Sequence, residues 1–425
     1  MMRAVLVGLG LLMISGAATA QRGNPLDALA GTVGSDAGKL VQLGDLYVEA
    51  RRLDDAKKTY NQALKAQPAF GEAEFGLVRI DMVGGKFDQS KNGCRGVSRR
   101  HKDGSVGDVC SGWFWLSFDR SARAVEEFQK AVDKGDKARG QTGLAEAYLR
   151  QGDYDKAVDA YRAALQAGAD YVADVGLGLA LEVKQDKTGA LAAFKTAVGR
   201  QPASCLAHFN YGRLLGAGPE AVSELNTAIA IRANWGEAYQ ALGDVMLAMN
   251  NVAGAEGAFR KAIEAEPGRG TAFLGLGRAL LSQNKTADAK TALEKAIEIV
   301  PNLADAYLLL ADIEYASGNT DAALESLDKA KAMAPGEVKV FLHSGEVYYK
   351  LQRFTQASSF LNQAITMQPN LSRAFALLGD IACGRRLYDA GQKHYEDALK
   401  GDLVGVSRTD IEKRRLACKP QGPAK

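Results

Sequence analysis

Little in this chain is arranged for catalysis. It has only 4 histidines in 425 residues, and His101, His208, His343 and His394 are too widely spaced to be metal ligands. Its 5 cysteines contain no C-x-x-C spacing, which excludes the usual thiol oxidoreductase and zinc-ribbon patterns. No nucleophile, base and acid fall into a recognisable arrangement, so no catalytic residue is assigned and neither metal nor cofactor is expected. The fragments Gly176-Leu177-Gly178 and Gly275-Leu276-Gly277 look like pieces of a dinucleotide loop, but no strand precedes either. Gly34 to Leu40 is one residue short of a phosphate loop and carries Leu40 where Ser or Thr is required. A formal charge of +3 is too small to imply nucleic acid as a partner. Only 10 prolines are present, and 47% of residues are hydrophobic, which argues for a folded chain with a sizeable core. Beyond the first twenty residues no apolar run approaches the about 20 residues of a membrane helix.

Those first residues read differently. Arg3 is followed by the apolar stretch Ala4 to Ile14 and by Ala18-Thr19-Ala20, the pattern of a signal peptide cleaved at about Ala20. An uncleaved anchor is the alternative, disfavoured by the short apolar run. The expected location after cleavage is outside the cytoplasm, in a periplasm or secreted. Residues 21–36, with Gly23, Pro25, Gly31 and Gly34, read as a flexible tether.

An internal repeat dominates the remainder. Numbered from Gly270, Phe273, Leu276, Gly277 and Leu280 occupy positions 4, 7, 8 and 11 of a unit. That spacing makes one face of a helix. Ala289, Leu293 and Ala296 follow at positions 20, 24 and 27 on a second helix, and Pro301 at position 32 favours a break. Small residues at 8 and 20 let the two backbones approach. Units starting at Gly236, Ala304, Val338 and Ala37 repeat the template, the last through Leu40, Leu43, Gly44, Tyr47, Ala56, Tyr60, Ala63 and Pro68.

This pattern resembles the tetratricopeptide repeat family. The resemblance implies an all-α, right-handed superhelical solenoid of about eleven tandem helix-turn-helix repeats over 37–405. Starts fall near 37, 71, 105, 138, 171, 205, 236, 270, 304, 338 and 372. Two units depart from the template. Val78 replaces the small residue in the unit from Gly71, and the unit from Cys205 is shortened at Gly216-Ala217-Gly218-Pro219, where a kink is expected in an otherwise continuous array. Residues 406–425 read as a capping helix and tail. Thr409 and Glu412 have capping-box spacing, Ile411 and Leu416 are placed to cover the last repeat, and Lys413, Arg414 and Arg415 to face water.

In this family the first helices line a concave groove through positions 2, 5, 9 and 12. Position 5 is mostly apolar here and includes Phe75 and Phe209, position 12 includes Tyr315 and Tyr349, and position 9 carries charges. The candidate partner-binding residues are Trp113, Arg79, Phe75, Phe209, Arg213, Asp244, Arg278, Asp312, Tyr315, Glu346 and Tyr349. An apolar floor with charged rungs suits an extended or helical peptide. The Lys at position 5 and Asn at position 9 of carboxylate-clamp members are absent. Lys86, Lys91, Arg95, Arg99, Arg100, His101 and Lys102 form a basic stretch, read as a solvated face or as a contact for an anionic partner.

Export permits disulfides, and the repeat phase selects among many pairings. Cys94 at position 24 and Cys110 at position 6 of the next unit fall on neighbouring helices, and Cys383 in the last repeat with Cys418 after the cap is the second candidate pair, leaving Cys205. Buried unpaired thiols are the alternative. The resulting expectation is a non-catalytic scaffold or adaptor of the bacterial cell envelope that binds other proteins or peptides. A holdase for exported apolar segments is the alternative, and an enzyme is least favoured because the repeats leave no segment for a catalytic domain.

Overall fold

The computed structural model describes residues 24–420, and the expected signal peptide lies outside the described residues. The chain is all helical there. It divides into two compact units, one ending at Ala265 and the other beginning at Glu266.

The first unit opens with a short helix, Pro25–Ala30, followed by seven helical hairpins. Repeats one to four pair Ala37–Glu49 with Leu53–Ala66, Gly71–Val83 with Phe87–Arg100, Val106–Ser117 with Ser121–Asp133, and Lys137–Gln151 with Tyr154–Gln166. Repeats five to seven pair Tyr171–Val183 with Lys187–Arg200, Cys205–Leu215 with Pro219–Ile231, and Gly236–Ala248 with Val252–Ala265. In the second unit, repeats eight to eleven pair Gly270–Ser282 with Thr286–Ile299, Ala304–Ala316 with Thr320–Met333, Val338–Lys350 with Phe354–Met367, and Ser372–Gly384 with Tyr388–Lys400. A closing helix, Arg408–Ala417, follows.

Each hairpin turns through a residue in the left-handed region. That residue is Arg51, Gly85, Asp119, Gly152, Gln185, Asn250, Asn284, Gly318, Gln352 or Arg386, at position 15 of its repeat. Glycine and asparagine suit this conformation, whereas arginine and glutamine adopt it at a cost. The sixth repeat turns earlier, at Gly216, and its second helix starts directly on Pro219.

The core is built from position 24. The fully buried Tyr60 ring lies so close to Gly44 of its own repeat and Gly76 of the next that a Cβ on either glycine would stand 2.4 Å from it. Phe128 sits in the same way against Gly112 and Gly143, and Tyr161 closes on Gly176. Position 24 to position 6 of the following repeat is therefore the tightest inter-repeat contact. In the second repeat these two places hold Cys94 and Cys110, joined as a disulfide, where a ring would otherwise sit. Val78, the large residue at position 8, is accommodated because Gly93 faces it.

Repeat one also meets repeats five and six, so the first unit closes on itself. Glu49, the last residue of the first helix, accepts hydrogen bonds from Tyr171 Oη at 2.9 Å, Ser204 Oγ at 2.7 Å and the Leu206 amide at 2.8 Å. Its carboxylate thus sits at the N-terminus of helix Cys205–Leu215, where the helix dipole favours negative charge. Removal from water pushes the Glu49 carboxyl above its usual range, and the Leu206, Ser204 and Tyr171 bonds oppose that rise. Beside it lies Cys205, free and buried, with its thiol pushed up chiefly by burial and so unreactive.

Three expectations need correction. Residues 25–30, read as tether, form a helix whose Leu26 is fully buried. Asn24 starts it by accepting the Leu26 amide hydrogen bond, and Asp27 pairs with Arg52 at 2.5 Å. The array expected to be continuous falls into two compact units, which part between Ala265 and Glu266 and not at the shortened repeat near Pro219. At the C-terminus the helix begins at Arg408 behind Ser407, with no side-chain cap bond, so Thr409 does not act as a cap. Ile411 is buried, but Leu416 is 69% exposed. The closing helix keeps the register of a further first helix. Arg414 lies 34 residues after Asp380 and pairs with it at 2.9 Å, so it does not simply face water. Cys418 is bonded to Cys383.

Candidate functional site

The closure of the first unit surrounds a cavity of about 450 Å³. Position 5 of four successive repeats contributes Val41, Phe75, Val109 and Thr142 to its wall. Val48 and Met82 enter from position 12, and Glu72, Arg139 and Val172 from position 2. Position 9 supplies Asp45, Arg79 and Trp113. The period places these residues together because one face of each first helix points inward. Trp113 is half-buried, held with its ring edge-on to Phe128 at 5.6 Å between centroids.

Charge inside the cavity is paired except at Asp170, whose carboxylate accepts the Val172 amide hydrogen bond at 3.0 Å. Arg79 donates to Asp45 at 2.6 Å, and Arg139 reaches Glu72 at 3.0 Å. A second cavity of about 350 Å³ shares Asp45, Val48, Arg79, Asp170 and Val172 with the first and extends to Glu49 and Leu206.

The other candidates fall elsewhere. Phe209 is buried, lies tilted against Trp235 at 4.5 Å between ring centroids and joins the core shared by repeats one and six, so it does not line the main cavity. Arg213 grips Glu182 through two hydrogen bonds, at 2.6 and 2.5 Å. Together with Asp244 it borders a pocket of about 240 Å³. In the second unit Arg278 pairs with Asp305 at 2.6 Å, Asp312 with His343 at 3.2 Å, and Glu346 with Arg373 at 2.5 Å. Tyr315 Oη donates to the Lys350 carbonyl at 3.4 Å. Tyr349 and Glu346 border an open pocket of about 670 Å³, with Arg373, Asp380 and Arg414.

The charged rungs expected to face a peptide are therefore engaged with protein neighbours. Consecutive first helices lie side by side, so acid and base at or near position 9 meet across the junction. These pairs perturb titration. Burial would raise the Asp312 carboxyl, but His343 and Lys350 more than offset it and hold it below its usual range. At Glu346 burial prevails over Arg373, and the carboxyl is raised.

Sequence reasoning missed Glu49. Its partners lie 122 to 157 residues away, and no periodic signal links them. The basic stretch divides in the structure. Lys86 pairs with Asp81, and Arg100 and His101 with Glu74. Lys91, Arg95, Arg99 and Lys102 have no carboxylate partner among the described residues. No helix among the described residues is long and apolar enough to cross a membrane.

Known proteins resemble the chain in repeat and fold. Two tetratricopeptide repeat models match it, one over residues 41–89, 116–172, 241–304 and 274–338 and the other over 314–381. No curated protein matches. Among solved structures, yeast Tom70 is 15% identical, with 90% of this chain and 95% of that chain covered and a TM-score of 0.50. Cut9–Hcn1, a hetero-tetramer of the APC/C, is 13% identical over 93% and 91% of the two chains, with a TM-score of 0.45. PilF of Pseudomonas aeruginosa is 18% identical over 52% and 98%, with a TM-score of 0.43. At such identities the likeness to Tom70 shows the fold alone, an all-α helical repeat solenoid.

Proposed function

The chain belongs to the tetratricopeptide repeat family, and from that premise we propose a non-catalytic scaffold that binds a short apolar segment of a partner protein in the first unit's cavity. The family's fold serves protein–protein interaction in general. The observation that carries the finer reading is the convergence of Phe75, Val109, Met82 and Trp113 on one cavity. A space of about 450 Å³ suits a few side chains or one turn of a helix rather than a long extended peptide. Tryptophan in such a wall is a favoured anchor.

A photo-crosslinking residue in place of Trp113 tests this in cells, with Lys57 on an outer helix as control. One defined partner captured at 113 and absent at 57 is expected, and Trp113→Ala must abolish its co-purification. Capture no better than at Lys57 defeats the reading. A holdase would instead suppress aggregation of many unrelated clients. The small cavity and internally paired charges favour the single-partner scaffold.

The scaffold is placed in the bacterial cell envelope, exported after cleavage near Ala20. Its two disulfides support that placement, since such bonds persist in oxidising compartments. The mature protein should start at Gln21, with Cys205 as the sole thiol alkylated after denaturation. Lys91, Arg95, Arg99 and Lys102 offer a second surface, suited to an anionic partner. Their joint replacement by Ser should weaken only that contact.

A further inference from the structure

The charges that wall the first unit's cavity do not balance. Asp45, Glu72 and Asp170 line it with Arg79 and Arg139, so carboxylates outnumber guanidinium groups there. Arg79 is taken by Asp45. Arg139 is held between two acids, Glu72 at 3.0 Å and Asp136 at 2.6 Å. Neither guanidinium is left to receive an anion. Arg200, whose charge also reaches Asp170, is bound to Asp174 at 3.3 Å and to the Ala169 carbonyl at 3.0 Å. Asp170 is thus left without an ion pair among the described residues.

Its Oδ1 accepts the Val172 amide and caps helix Tyr171–Val183, while its Oδ2 accepts no hydrogen bond among the described residues. Asp170 is also shared by the main cavity and the second one. The residue is exposed rather than sealed in the core. Loss of water nevertheless raises its carboxyl, with the Val172 bond opposing that rise and the Asp45 charge adding to it. A carboxylate so placed is stabilised most by a cation that enters the cavity with the ligand.

We propose that the cavity's occupant is an apolar segment carrying one basic side chain, lysine or arginine, whose charged end pairs with Asp170. This deepens the docking reading and rests on it. The methylene stem of such a side chain can lie along Phe75, Met82 and Trp113, and only its tip needs the carboxylate. A neutral segment would strip water from Asp170 without replacing it, and an acidic one would add a like charge. The cavity is therefore selective by sign as well as by shape.

The test uses the full-length protein and a library of short random peptides with blocked ends. Peptides retained by the natural chain and lost with Trp113→Ala are sequenced as the cavity's ligands, with Trp113→Leu as the substitute should alanine unfold the unit. Lysine and arginine should be enriched among them about tenfold over aspartate and glutamate, the discrimination of one charge-assisted hydrogen bond. Asp170→Asn keeps an oxygen to cap Val172 and should abolish that enrichment while apolar peptides are still retained. If Asp170→Asn melts early, Asp170→Ser, which also caps without charge, must give the same result. Ligands with no basic excess, with an acidic excess, or with a basic excess that survives loss of the Asp170 charge overturn the proposal. In each of those cases peptides that depend on Trp113 are still found, and the docking reading stands. If no retained peptide depends on Trp113, the docking reading falls and this inference with it.

Discussion

The Tyr60 hydroxyl donates to the Asp45 carboxylate at 2.5 Å, joining position 24 of a repeat to position 9 of the same repeat. Tyr161 and Glu146 do the same at 3.0 Å, and Tyr395 and Asp380 at 2.6 Å, each pair 15 residues apart. Burial first, and the neighbouring carboxylate second, suppress ionisation of Tyr60. Its proton therefore stays available to donate throughout the neutral range.

Tyr60→Phe keeps the ring between Gly44 and Gly76 and removes only that bond. The loss should be about 1 to 3 kcal/mol of stability, as for a hydrogen bond to a charged acceptor. Urea unfolding of the single variants and of the Tyr60→Phe, Asp45→Asn double variant measures it. Additive losses would show that the two residues are not coupled.

Gly76→Ala should destabilise although alanine is the better helix former. The added methyl would meet the Tyr60 ring at 2.4 Å, and overpacking of this kind costs about 1 to 3 kcal/mol. A thermal melt no lower than that of the natural chain would contradict this. Gly257, with nothing near its missing Cβ, is the control, and there alanine should stabilise.

Gln185→Gly should stabilise. Gln185 holds φ at +63°, a conformation costing a side-chain-bearing residue about 1 to 2 kcal/mol. Part of that gain is offset by the greater freedom of glycine in the unfolded chain. The same change at Gln352, φ +58°, should act alike in the second unit, as read from urea midpoints.

Removing either disulfide by paired Cys→Ala changes should cost about 3 to 4 kcal/mol by loop entropy, slightly more for Cys383–Cys418 because its loop is longer. The separations are 16 and 35 residues. The two losses should differ in place. Exchange should rise in helix Arg408–Ala417 for the Cys383, Cys418 variant, and in repeats two and three for the other.

Asp305 is bound by Arg278 at 2.6 Å and Lys339 at 2.7 Å. Burial would raise its carboxyl, but these cations prevail and hold it below the ordinary range. A depressed native value means that ionised Asp305 adds stability above its unfolded range and that the gain disappears as pH falls through the native value. Asp305→Asn should therefore cost about 1 kcal/mol or less of stability at pH 7, as for a partly exposed pair, and be read as a lower melting temperature. The difference from the natural chain should vanish in strong acid.

The hairpin order was legible because Leu276, Gly277, Ala289 and Leu293 repeat with a fixed period, and that period is the packing itself. Gly277 faces Leu293 so closely that a Cβ would stand 2.8 Å away. The recurrence of tyrosine 15 residues after an acid was also present in the chain, at Tyr60, Tyr161 and Tyr395, and is a usable signal for this bond. Arg79, expected to face a partner, walls the cavity but is also engaged by Asp45, a pairing that the charges alone could have shown. Opposite charges 34 residues apart in a 34-residue period are neighbours, and neighbours pair. Phe209 was placed by register alone, which carries no information about Trp235 in the following loop. Glu49 was invisible for a deeper reason, since closure joins residues related by no period.

That closure changes how the first unit must assemble. A repeat array ordinarily folds by nearest-neighbour addition, each hairpin settling on the one before it. Here Glu49 waits for donors up to 157 residues downstream, so repeat one cannot complete its contacts until repeat six has been made. Long-range closure of this kind slows folding and joins distant repeats in one cooperative event. On an emerging polypeptide, the N-terminal helix can settle first on helix Ala37–Glu49, but its shelter is completed only when the chain has reached Ile231.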